Sequence, residues 1–226
     1  RDVLGSRGLG DVYKRQFNYM VSRLRQLIME VYQQKLAQKN AELTALQAQI
    51  NPHFLYNSLS IINWKAIEAG EDEISHVTLA LSTYYRTSLN RGETMTTVAK
   101  EIDNIRAYLK IQLVMHDNEF RVVEQISDGL NDYMIPKLIL QPLAENAIDH
   151  GIDVSDNEDP TLWLTIREED KHIFFEIRDN GAGMTQEKAD QILTYQSSGY
   201  GVRNVCDRIH VLYGEKGCLL YTSPSP

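Results

Sequence analysis

The chain has 226 residues, 42% of them hydrophobic and 24% charged, which is enough to bury the core of one sizeable domain plus an accessory element. Its 23 basic and 31 acidic residues leave a formal charge of -8, which argues against a non-specific nucleic-acid binder, because phosphate neutralisation needs clustered Lys and Arg. Two unclustered cysteines, Cys206 and Cys218, offer neither metal-ligand spacing nor a disulfide framework, and no apolar run reaches the length of a membrane span.

Residues 1–16 carry three glycines, mixed charge and no periodicity, and are expected to be a tail. From Phe17 the pattern changes. Phe17, Val21, Leu24, Ile28 and Val31 step by four and three, and after a slip at 35–39 the residues Leu36, Leu43, Leu46 and Ile50 resume the stepping. So narrow a stripe fits a paired or bundled helix, a signalling coiled coil in which the slip is a stutter. Counting on from Leu46 puts His53 on the seam. Pro52 removes one backbone donor, so it is expected to bend the helix there and lift His53 towards solvent.

The helix is expected to continue through Phe54, Leu55, Leu59, Ile62 and Ala66 and to stop at Gly70. A second helix follows, with Ile74, Val77, Leu81, Tyr84, Tyr85 and Ser88 as its apolar stripe; Trp64 and the Tyr84-Tyr85 pair are expected in the bundle core. The stretch NRGETMT, residues 90–96, is the candidate linker between domains.

Thr97 can cap a third helix with Ile102, Ile105, Leu109 and Leu113 on one face. The period then switches to two in FRVVEQI (120–126), as in a half-buried strand. Pro136 suits the first turn of a further helix, PKLILQPLAENAIDHG, closed by Gly151. After an acidic loop come two strand-like runs, 162–168 and 172–179, then a glycine loop, a short helix capped by Thr185, and a last helix burying Val202, Val205, Cys206, Ile209 and Leu212.

Three constellations carry chemistry. In ENAIDHG, Glu145, Asn146 and Asp149 crowd polar groups onto an otherwise apolar helix, where they either face solvent or meet partners in a site; the neutral carbonyl oxygen of Asn146 suits Mg²⁺. In DNGAGM, Asp-Asn-Gly after a strand is a common hairpin signal, yet the following TQEKADQIL has helical rather than alternating periodicity. Gly181 and Gly183 therefore open a loop whose backbone can approach a flat ring or a phosphate closely. In SSGYGVRNV, Gly199 and Gly201 precede a helix, so backbone donors and the positive end of its dipole face one point. His76, His116, His172 and His210 show no metal spacing and are expected to be surface or partly packed residues, with His150 packing a helix end.

The order of these elements, from about Leu46 to Tyr213, resembles the LytS/YesM-type sensor histidine kinases. QINPHFLYNSL is similar to that family's phosphoacceptor box, LQPLAENAIDHG to its N-box, DNGAGM to its first glycine box and GYGVRNV to its second, while FNYMVSRLRQLIMEV resembles the closing helix of a HAMP signal-relay module. The resemblance implies an α+β protein: a helical dimerisation and phosphotransfer hairpin (42–93) followed by an α/β sandwich of Bergerat (GHKL) type that binds ATP (94–217, incomplete). Residues 17–41 would then be the end of the HAMP-like module and the coiled coil. Both ends, 1–16 and 218–226, resemble translated sequencing adapter, and the family's last two strands are expected to be missing.

By the same resemblance His53 is the residue phosphorylated, Asn146 holds Mg²⁺ and Asp179 accepts a hydrogen bond from the adenine amino group. Gly181, Gly183, Gly199 and Gly201 shape the nucleotide pocket and its lid, and Glu145 is a polar or basic group beside the phosphates. Asn57, four residues from His53, shares its helical face and can orient the ring. Histidine suits the acceptor role because its imidazole is neutral above an ordinary pKa of about 6.5 and offers a nitrogen lone pair. The implied partners are a second copy of the chain, a response-regulator protein and, through missing upstream segments, the cytoplasmic face of a bacterial membrane. Two alternatives stay open: a GHKL-type ATPase that hydrolyses ATP without phosphorylating histidine, and a catalytically dead signalling scaffold.

Overall fold

The computed structural model describes residues 20, 23, 35, 38, 51–89, 93–183, 200–214, 217 and 219. Its contacts divide the chain into two compact units, 1–51 and 52–226. In the first, Met20, Arg23, Lys35 and Gln38 are helical. The rest of the seam over 17–50, the tail at 1–16, Gly199, the Thr185-capped helix and most of 215–226 lie outside the described residues.

The second unit begins with a helical hairpin, α1 (Pro52–Ala69) and α2 (Asp72–Ser88), reversed at Gly70, whose φ of 75° ends a helix at no steric cost. Here the expected kink is corrected: Asn51 is not helical, and Pro52 is the first residue of α1. Proline disfavours helix in the residue before it, and its missing N–H costs nothing at a first helical position. Small and polar side chains line the hairpin seam, with Leu59 and Ala66 of α1 and Ser75, Thr78 and Ala80 of α2 buried. Ser75 Oγ donates to Asn63 Oδ1 at 2.8 Å across it. Trp64 is not core: it is 74% exposed, in line with Phe54 and Ile61 on an apolar face of α1.

The remaining elements run β1 (Met95–Thr97), α3 (Val98–Met115), β2 (Arg121–Ile126), β3 (Met134–Pro136), α4 (Gln141–Ala147), a wider π-type turn (Ile148–Ile152), β4 (Thr161–Glu169), β5 (His172–Asp179) and α5 (Tyr200–Tyr213). The molecule is α+β. Thr97 caps α3 as expected, its hydroxyl accepting the Lys100 N–H at 3.3 Å. β4 is the central strand of a three-stranded mixed sheet, parallel to β2 and antiparallel to β5, with Val122 opposite Leu162 and Leu162 opposite Asp179. Asp170 and Lys171, both at positive φ, make the tight β4–β5 turn. Alternation sends Leu162, Leu164 and Ile166 to one face, where they meet Ile102, Ile105 and Leu109 of α3, Ala144 and Ala147 of α4, and Val205 of α5. Leu212, expected on the buried face of α5, is exposed.

Pro136 does not open a helix. It ends β3, which pairs antiparallel with β1, and α4 begins five residues later with Pro142 in its first turn. The reason lies on α3: the buried carboxylate of Glu101 accepts the N–H groups of Leu138 (2.9 Å), Ile139 (2.7 Å) and Leu140 (3.1 Å). Leu138 itself sits at a left-handed φ of 56°. On the carbonyl side, the Arg208 guanidinium of α5 donates to the oxygens of Lys137 (2.6 Å) and Leu138 (2.8 Å). A buried carboxylate and a part-buried guanidinium thus hold the entry to α4 from both sides. Burial pulls the pKa of Arg208 down, against the pull of Glu101.

Candidate functional site

His53 stands exposed in the first turn of α1, and its Nδ1 lies 3.2 Å from Asn57 Nδ2 one turn on. Placing the amide nitrogen against Nδ1 makes that ring atom the acceptor and puts the ring proton on Nε2. Turning the amide over would let its oxygen accept from Nδ1–H and give Nε2 the lone pair. Either way the ring plane is set by a neighbour on its own helix.

The second group gathers around α4 and its π-type extension. Glu145 and Asn146 are half-buried there, and Asp149 and His150 are exposed. At the end of this run Gly151 is buried against the β5–loop junction, since a methyl group on it would lie 2.7 Å from Asp179 Cγ. Asp179 turns its Oδ1 back to accept the Gly181 N–H at 3.0 Å, and the Ala182 N–H donates to the Gly151 carbonyl at 3.0 Å. The first glycine loop is thereby stitched to the polar helix. Gly183, at φ 65°, has nothing among the described residues within 4 Å of where a Cβ would stand. Gly201 lies inside the first turn of α5 rather than before it, with its missing Cβ 3.3 Å from Pro142 Cβ, which seats α5 on the start of α4.

Glu145 is held from within its own helix: Gln141 Nε2 donates to Glu145 Oε1 at 2.7 Å and to Tyr84 Oη at 3.0 Å. Tyr108 of α3 lies alongside, its ring centroid 6.3 Å from that of Tyr84. Burial first, and then the charges of Glu145 and Asp149, push the Tyr108 phenol well above its ordinary pKa.

Residues that sequence reasoning passed over complete the picture. Gly151 was visible only as a helix stop, and Gln141 and Tyr84 as unremarked members of a motif and a core. His116 is part-buried, with Nδ1 2.7 Å from the Gln112 carbonyl and Nε2 3.1 Å from Asp153 Oδ1. Burial disfavours its charged form, but those two hydrogen bonds and the nearby acidic charges outweigh it and raise its pKa. Asp153 closes the π-type turn, so this pair ties the end of α3 to the end of the site helix.

Compared with known proteins, residues 41–120 match the family model for histidine kinase, and residues 131–223 match that for the histidine kinase-, DNA gyrase B- and HSP90-like ATPase. These two matches define the class: a histidine kinase region followed by an ATP-binding domain of that ATPase family. Within it, over the region it spans, the chain belongs to the LytS/YesM-type sensor histidine kinases. It is 36% identical over 206 residues to the sensor histidine kinase YesM of Bacillus subtilis, covering 89% of this chain and 34% of that protein. It is 29% identical over 195 residues to the sensor protein LytS of Bacillus cereus (83% and 32%), and 32% identical over 182 residues to the sensor histidine kinase BtsS of Escherichia coli (80% and 31%). The chain spans about a third of the length of the curated relatives it matches.

Proposed function

We propose that this chain is the kinase core of a two-component sensor: it binds Mg-ATP in the C-terminal domain, His53 takes the terminal phosphoryl group, and the group then passes to an aspartate of a response regulator. The observation that carries the reading is the presence, in the same chain, of an exposed histidine oriented by Asn57 at 3.2 Å and of a polar helix stitched to a glycine loop through Gly151, Asp179 and Gly181. Phosphoryl transfer is mostly positioning and charge stabilisation, so a crowd of basic side chains is not needed and a net charge of -8 is no obstacle.

The residues present fit the implied nucleotide and metal. Asp179, fixed by the Gly181 N–H, offers a half-buried carboxylate at a strand end, the right acceptor for an exocyclic amino group. Gly183 has no described residue within 4 Å of its Cβ position, and the Asn146 amide oxygen is a ligand of the kind Mg²⁺ takes. When bound, the metal supplies charge neutralisation at the phosphates. Asn57 sets the imidazole plane, Glu145 is a polar or basic group beside the phosphates, and Gly199 and Gly201 belong to the lid.

A second copy of the chain is the natural cover for Phe54, Ile61 and Trp64, which step by seven and three along one face of α1. Among the described residues no helix is long and apolar enough to cross a membrane. The HAMP-like stretch at 17–41 is read as the relay from a membrane-anchored sensing part of a longer protein to this core, on the cytoplasmic face.

Incubation with ATP labelled at its terminal phosphate tests the proposal. Acid-labile, alkali-stable label on the wild type that disappears in His53→Gln is the expected result. Label that persists in that variant, or phosphate release that ignores it, overturns it.

A further inference from the structure

The end of α2 is joined to the ATP-binding domain by polar contacts. Asn104 Nδ2 donates to Thr87 Oγ1 (2.7 Å) and Ser88 Oγ (2.9 Å), and the Lys137 ammonium donates to the Ser88 carbonyl (2.8 Å). These fasten one element to another and end there. The contact through Gln141 goes further, because its amide nitrogen reaches Tyr84 on the hairpin and Glu145 on the site helix together. An amide nitrogen carries two hydrogens, so both acceptors are served without competition.

The two acceptors differ in what moves them. Gln141 and Glu145 share one turn of α4, so their bond persists wherever that helix goes, provided the amide keeps its rotamer. The Tyr84 hydroxyl rides on α2, part of the hairpin that displays His53. Tyr84, Gln141 and Glu145 are all part-buried, so water reaches this place only in part. In such a place an amide that loses an acceptor must find another, and its rotamer changes.

We infer that Gln141 is a positioning residue for Glu145, and that Tyr84 makes this hold depend on how the hairpin sits against the ATP-binding domain. A movement of α2 then reaches the phosphate side of the cleft through one side-chain amide, without any change in the nucleotide contacts of Asp179 or the glycine loop. The rate of phosphoryl transfer responds, and the affinity for ATP does not. This inference rests on the kinase reading above.

The test is a double-mutant cycle with Gln141→Leu and Tyr84→Phe in the whole chain, read in three ways. Gln141→Leu is expected to slow labelling of His53 by roughly ten- to a hundredfold, the range for a displaced reacting group. Tyr84→Phe keeps the ring and loses only the hydroxyl bond, so about threefold is expected. The double variant should be no slower than Gln141→Leu, because the hydroxyl acts only through the amide. ATP affinity should stay within about twofold throughout, as a purely transition-state effect requires. Gln141→Leu at the wild-type rate, multiplying losses in the double variant, or an affinity that falls with the rate would each overturn the inference.

Thermal unfolding of the same four proteins decides the bridge independently of activity. The two substitutions together should lower the midpoint by less than the sum of their separate effects, and strict additivity sinks the bridge. A wild-type chain that labels no histidine defeats the kinase reading and the rate claim with it, while the unfolding cycle still passes judgement on the contact itself.

Discussion

Gly151, at the end of the site helix, and Gly181, in the loop after β5, meet backbone to backbone: a methyl group on Gly181 would lie 2.7 Å from Gly151 Cα and overlap the Gly151 carbonyl. Neither residue has a positive φ, so it is the close approach and not a special torsion that demands glycine. Gly181→Ala must push loop and helix apart, which should cost about 1–3 kcal/mol of stability, as overpacking does. It should also weaken ATP binding at least tenfold, by about 1.4 kcal/mol or more. Gly183→Ala, at φ 65° with no described residue within 4 Å of its Cβ position, carries only the left-handed penalty of about 1–2 kcal/mol and should disturb binding less. Titration with a fluorescent ATP analogue, beside chemical denaturation, checks that order.

Glu101 and Arg208 grip the same four-residue segment from opposite sides. Glu101→Ala strips a partner from three N–H groups, two of them buried, and leaves Arg208 without its nearby countercharge, so a loss of about 3–5 kcal/mol is expected. Glu101→Gln retains one acceptor oxygen and should lose roughly 2 kcal/mol. Urea denaturation curves measure both, and near-equal losses would mean that the carboxylate charge carries little of the effect.

His116 gives the molecule a pH-dependent tie. Its folded-state pKa is raised, so the stability it contributes is fully present below its unfolded value of about 6.5 and is lost as pH rises through the folded value. The gap in melting temperature between wild type and His116→Gln should therefore be wider near about pH 5.5 than near about pH 8.5. Asp153→Asn should flatten that dependence. A gap that widens with rising pH would assign the shift the wrong sign.

The Asn57 amide sets the imidazole of His53, so Asn57→Ala should slow autophosphorylation by roughly tenfold while nucleotide affinity holds, the pattern of a group that orients a reactant. Asn57→Asp fixes the proton on Nδ1 and should retain more of the rate than alanine does. Single-turnover labelling at saturating ATP separates the two variants.

Much of this could be predicted from local pattern. Thr97 caps α3 because a hydroxyl before an apolar helix needs only the next turn to find its donor. The alternation that buries Leu162, Leu164 and Ile166 is likewise written in adjacent residues. The order of a polar helix and two glycine loops was enough to name the class. That Asn57 lies one turn from His53 and meets its ring follows from the same arithmetic of helix spacing.

Other features had no local signature. PKLIL satisfies every rule for a helix start, yet its N–H groups are taken by a carboxylate 37 to 39 residues away, and the helix is delayed to Gln141. Periodicity that continues past Pro52 suggests a kink, whereas Asn51 is not helical and Pro52 opens its own helix. Trp64 is apolar enough to suggest a core, yet none of the described residues covers it and it is 74% exposed.

What the sequence determined by itself, then, was the set of elements whose reasons lie within a turn or a strand pair, and the chemical identity of the groups of the candidate site. Only the tertiary structure decided which of those groups meet: Gly151 under Asp179, Arg208 over the segment held by Glu101, Tyr84 on Gln141. Such meetings depend on how far separated elements pack, and burial makes a polar group take whatever partner that packing brings.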